Sequence, residues 1–124
     1  MTWSSAGSFL MAAAVILGAF GAHGLRGRLD AYSMSVYEKA VFYHFIHALG
    51  ILIVSILPKT DTFSENSAGW VCLLLALAIA IFSGSLYLLA ITGNRILGAI
   101  TPIGGICMIA AWLLLGWYLL PRRG

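Results

Sequence analysis

Three imidazoles are the side chains of this sequence best suited to chemistry. His44 and His47 stand three apart in "FYHFIHALG", and His23 stands in "GAFGAHGL", each among aromatic, aliphatic or small residues. Neutral imidazole nitrogens ligate metals and haem iron. Imidazoles also titrate near neutrality, as a proton relay requires, and ionisable groups within membrane spans mark functional sites by default. Tyr43 and Tyr87 are the hydroxyls that complete this candidate polar cluster.

Each chemistry meets an obstacle. Ligands at i and i+3 share a helix face, whereas bis-histidine haem ligation needs opposed ligands from two helices, so a haem would pair His23 with His44 or His47. No carboxylate or cysteine stands close enough in sequence to complete a metal set, and none is expected. A relay would need Asp or Glu at bilayer depth, and no apolar run contains either. Quinone or headgroup contact stays open. The structural alternative has the imidazoles near the interface, hydrogen-bonded to loop carbonyls, tyrosines or phosphates and tying the first two helices together.

The elements that must position these groups follow from composition. The chain has 124 residues, 61% hydrophobic and 9% charged, with mean hydropathy +0.99. Soluble domains hold about 45–50% apolar and about 25% charged residues, so a soluble core is excluded. Four apolar runs, at about 5–23, 39–57, 69–92 and 96–120, approach or exceed the roughly 20 residues of one helical crossing. Their glycine and alanine content does not alternate in polarity as barrel strands would. The fold class is therefore all-α, a single four-helix transmembrane domain over 1–124. "MTWSS" has no Lys or Arg, so the first run reads as a span rather than a secretory signal.

Basic residues form no stripe for nucleic acid. Cys72 and Cys107 fall at different depths, which argues against a disulfide. Ser35 with Glu38, and Thr62 with Glu65, have capping-box spacing. Leu25, Leu29, Tyr32 and Val36 recur at helical spacing within 24–38, suiting either a short helix in the interface plane or a structured loop. Residues 58–68 read as a water-exposed connection, and 93–95 as a tight turn. Arg26, Arg28, Lys39 and Arg95 lie on one membrane side, against Lys59, Arg122 and Arg123 on the other. By the positive-inside tendency that balance leans to both termini outside.

Helices in lipid approach through small residues. Gly7, Met11, Ala14, Gly18 and Gly21 align on the first helix, and Ala40, Tyr43, His44, His47, Ile51 and Val54 on the second. Ala76, Ala80, Ser83, Gly84 and Tyr87 align on the third, and Gly98, Thr101, Gly105, Trp112 and Gly116 on the fourth. Pro102, about one turn into the fourth helix, frees the Gly98 carbonyl and predicts a kink, as a rigid bend or a hinge.

"GAFGAHGL", "YHFIHAL", "FSGSLYLLAITG" and "LGAITPIGG", in that order, resemble the domain of unknown function 423 family, which includes bacterial inner-membrane proteins and animal transmembrane protein 256. The resemblance covers about 5–112 and implies a four-helix protein of the bacterial plasma (inner) membrane, with no activity attached. His44 stands where the family usually carries glutamine, which leaves His23 and His47 as the shared candidates. The expectation is a non-enzymatic accessory, scaffold or self-associating component in the lipid bilayer, as a homo-oligomer or within a larger membrane complex. The alternatives are a transporter or channel using His23, His47, Tyr87 and the Pro102 kink, and a haem- or quinone-linked redox subunit.

Overall fold

The computed structural model describes residues 1–61 and 63–121. Among them the chain is entirely helical, and four helices are long and apolar enough to cross a membrane: Trp3–Leu25, Ala31–Thr60, Glu65–Thr92 and Arg95–Leu119. They are called here the first to fourth spans. Short connections make consecutive spans antiparallel neighbours. The inner spans pack hardest: 39% and 44% of the apolar windows of the second and third are buried, against 17% for the first and the fourth. The outer spans therefore turn most of their surface to lipid.

Chain ends and turns carry the helix signals. Thr2 caps the first span by accepting from Ser5 N. Asp30 caps the second, its carboxylate accepting from Ser33 N at 2.7 Å, and Ser64 caps the third. The Ser35–Glu38 capping-box expectation is thus corrected. Ser35 lies inside the second span, where its hydroxyl donates to the Tyr32 carbonyl at 2.7 Å. Glu38 instead faces Arg26 at 4.0 Å. Thr62 lies outside the described residues. The cause is helix length: the second span begins at Ala31, eight residues before its apolar run, because its first two turns are amphipathic and project beyond the apolar stretch.

No separate interfacial helix forms between the first two spans. Residues 21–25 finish the first span as a π turn, residues 26–30 are a short connection, and residue 31 opens the second span. At the other end, Leu57–Thr60 is a 3₁₀ turn. Asp61 then takes a left-handed conformation (φ 61°), which Asp tolerates better than most side chains. Phe63 folds back into the core and meets Tyr118 edge-on at 5.9 Å between ring centres. The 58–68 stretch is thus shorter as a loop than its polarity suggests.

Pro102 does not kink a helix interior. Arg95–Ala99 is a 3₁₀ turn, and the α-helix starts at Thr101, which puts Pro102 in its first turn. There the missing N–H is one of those an α-helix leaves unpaired anyway. Thr101 does bond back, to the Leu97 carbonyl at 3.3 Å. At the far end Leu120 is extended, as a residue before proline prefers. Arg122 and Arg123 lie outside the described residues.

Two of the packing faces differ from expectation. On the fourth span the buried stripe is Gly104, Met108, Ala111 and Leu115, one residue removed from the Gly98–Gly105–Trp112–Gly116 series. On the third, the π turn Ile79–Ser83 inserts an extra residue and rotates the face. Ala80 is exposed, while Leu75, Ala78, Ile79, Ser83 and Leu86 are buried. The turn sits where the helices come closest. A β-carbon at Gly104 would lie 2.7 Å from Cα of Phe82, so only glycine lets the two backbones meet. Gly84 has nothing within 4 Å of such a carbon, and Gly98 and Gly105 face Leu89 and Phe82 at 3.8 Å. Gly18 faces Val41 at 3.4 Å, and at Gly21 a β-carbon would lie 2.9 Å from the Tyr37 ring.

Candidate functional site

The buried residues form two apolar clusters. One is centred on Ile51, Val71, Leu75 and Ala111, the other on Tyr37, Ala40, Leu86 and Ala90. Between them in sequence order on the second span stand His44 and His47, both 4% exposed. His44 lies about 20 Å from the start of its helix at about 1.5 Å per residue. Counted along the helix, the histidines therefore stand well past its first turns, five and eight residues beyond Lys39, where the apolar run begins. The reason is again the extra turns before the apolar run.

His47 joins the second span to the fourth. Its Nε2 lies 3.0 Å from the indole Nε1 of Trp112 on the fourth span, and its Nδ1 lies 2.7 Å from the Tyr43 carbonyl one turn back. The indole is only a donor and the carbonyl only an acceptor. Nδ1 therefore carries the proton, Nε2 accepts, and the network assigns a neutral ring with both nitrogens occupied. The Tyr43 ring stacks on it at 6.1 Å and meets Phe82 at 4.7 Å.

His44 faces the third span. Its Nδ1 is 2.8 Å from the Tyr87 hydroxyl, whose ring meets Tyr37 at 5.3 Å. Tyr37 in turn donates to the Leu17 carbonyl of the first span. Nε2 of His44 is enclosed with no hydrogen-bond partner among the described residues.

Hydroxyls add further ties. Ser83 donates to the Ala40 carbonyl at 2.8 Å, and Ser85 and Thr101 share a bond at 2.6 Å. His23 does not join this set. It lies exposed in the π turn that ends the first span, so the three-histidine cluster is not assembled. Among the described residues no three His, Cys, Asp or Glu side chains come together as metal ligands. Cys72 is buried and Cys107 half-buried, and both are free thiols.

The space beside His47 is an apolar groove of about 450 Å³ on the lipid side, lined by Tyr43, His47, Met108, Trp112 and Leu113. Trp112 is the member of this site that the residue types did not single out beyond packing. Its one signal was an indole N–H inside an apolar run, which a buried tryptophan pairs with an acceptor.

Residues 17–105 match the family described as "Protein of unknown function (DUF423)". The chain belongs to the DUF423 family. It is 56% identical to a UPF0382 membrane protein of Staphylococcus haemolyticus, over 79% of this chain and 78% of that one. It is 53% identical to a UPF0382 membrane protein of Staphylococcus epidermidis, over 82% and 81%. The UPF0382 membrane protein YwdK of Bacillus subtilis is 45% identical over 82% of each chain. No solved structure matches it. Together with its four spanning helices, these relatives make this DUF423 chain an integral membrane protein. The matched segment contains His23, His44, His47, Tyr87 and Pro102. It stops before Trp112, so the DUF423 region holds His47 while its indole partner lies beyond the match.

Proposed function

We propose that this DUF423 protein is a structural component of the plasma membrane, a four-helix scaffold that associates with further copies of itself or with a larger membrane complex. What carries the reading is His47: Nε2 bonds the indole of another helix and Nδ1 bonds a carbonyl of its own, which leaves neither nitrogen free for a ligand or a proton. The small proportion of buried residues in the two outer spans supports association, since each offers a long apolar face to lipid or to another helix. With Arg26, Arg28, Lys39 and Arg95 at one end and Lys59 at the other, the orientation tendency favours neither side strongly once Arg122 and Arg123 are counted from the sequence; both termini outside remains our reading.

A transporter or channel would need a polar cavity at the histidines. The neighbouring groove is apolar and His44 is enclosed, which weighs against it. A bound haem would have to displace the Trp112–His47 bond, and His23 is too exposed to oppose His44 as a second buried ligand. Native mass spectrometry of protein extracted in mild detergent tests the proposal. One defined oligomer, or a stoichiometric partner, is expected; a lone monomer at every concentration would overturn it.

A further inference from the structure

The end of the molecule opposite the 26–30 connection holds a crevice of about 500 Å³ that the scaffold role does not use. The first span's start, the second span's end and the third span's start enclose it. Its walls include Trp3, Ser4, Ser55, Lys59, Glu65 and Ala68.

Two features of this crevice point to a ligand. Lys59 and Glu65 bring opposite charges to its rim, yet neither has an ion-pair partner among the described residues. Trp3, Pro58 and Ala68 supply apolar wall beside them. The Ser4 and Ser55 hydroxyls bond each other at 2.8 Å and Ser55 also bonds the Leu52 carbonyl at 2.6 Å, so these side chains are already satisfied. Trp3 and Trp70 stand at the same end, the depth at which indoles gather at a membrane surface. A ligand matching these walls carries an anion and a cation a few bonds apart on an apolar body.

We infer that this crevice binds a phospholipid whose headgroup holds both a phosphate and a primary ammonium, with Lys59 facing the phosphate and Glu65 the ammonium. Lys59 supplies a point charge with three donors, and the carboxylate accepts N–H bonds that a quaternary or uncharged headgroup does not offer. Lys59 alone would attract any anionic lipid. Glu65 makes the site selective, because it repels a headgroup that has only negative charge.

The test uses full-length protein, delipidated in detergent and titrated with phosphatidylethanolamine or phosphatidylglycerol of matched acyl chains. Native mass spectrometry reads the bound fraction. Phosphatidylethanolamine should bind about tenfold tighter, the worth of one charge-assisted hydrogen bond. Glu65→Gln should bring the two lipids within about twofold, whereas Lys59→Gln should weaken both by about tenfold. Glu65 sits in a first helical turn, so a thermal melt accompanies each variant, and Lys59→Gln in the neighbouring turn gives the second reading. Tighter phosphatidylglycerol binding, or lipid binding unmoved by Lys59→Gln, overturns the assignment. So does water-soluble phosphoethanolamine binding as well as the lipid, which would make the ligand a free phosphorylated amine.

Discussion

The indole N–H of Trp112 points at Nε2 of His47 across 3.0 Å, joining the fourth span to the second. Trp112 is itself 39% exposed, so one ring both covers the histidine and faces the lipid. The bond fixes which nitrogen of His47 holds the proton and closes the ring to other partners. In lipid, where apolar contact gives no preference for one helix over another, such a bond also sets which faces meet.

Removing the donor while keeping a ring should expose that dependence. Trp112→Phe leaves Nε2 of His47 buried without a partner, and should destabilise the fold by about 1–2 kcal/mol. His47→Leu combined with Trp112→Phe removes both polar partners and should cost less than the two single changes summed. Unfolding in mixed micelles with a graded denaturing detergent measures both. Strict additivity would mean that the bond contributes nothing.

Glycine positions separate contact from coincidence. Gly104→Ala places a methyl against the Phe82 backbone and should destabilise by about 1–3 kcal/mol, as overpacking does. Gly84→Ala meets open space and should be neutral or slightly stabilising, since alanine loses less backbone freedom in a helix. Thermal melts of the two variants rank them, and a reversed order would contradict the close crossing at the π turn.

Tyr87→Phe removes the partner of His44 Nδ1 and leaves the whole imidazole unpaired, a loss of about 1–2 kcal/mol. His44→Gln keeps a polar group that can bond the Tyr87 hydroxyl, so it should be milder than His44→Leu, which strands that hydroxyl. Melting temperatures of the three variants decide.

The Asp30 cap predicts an acid limb. The backbone N–H of Ser33 bonds its carboxylate first of all and holds its pKa below the ordinary value. A lowered folded-state pKa means that the stabilisation is complete above the unfolded carboxylate's range and fades as pH falls through the lowered value. Asp30→Asn should keep the cap but lose this acid dependence, while Asp30→Ala should lose the cap at every pH. Melts between neutral and acidic pH distinguish them. Because the carboxyl is fully exposed, the effect is a difference in slope rather than a collapse.

Lipid solvation over four crossings, an all-helical fold and family membership were legible in the residues themselves. Each depends on how many apolar residues follow one another, or on short motifs, and those are properties of a line of letters. The packing faces of the first two spans were legible for a related reason. Gly7, Ala14 and Gly21 alternate there with bulky residues, and the second span carries two histidines that lipid would not solvate. The third and fourth spans gave no such guide. They are apolar all round, lipid is as apolar as a helix interior, and no polar stripe marks the outside. Only the folded chain decided that Gly104 rather than Gly105 meets the Phe82 backbone, that a π turn rotates the third span, and that Trp112 reaches His47. The position of the histidines along their helix was equally hidden, because two amphipathic turns extend the second helix beyond its apolar run. Hydrophobic runs mark what lipid can solvate; which side chains bond across the helices depends on rotation and register, and those exist only once the helices have packed.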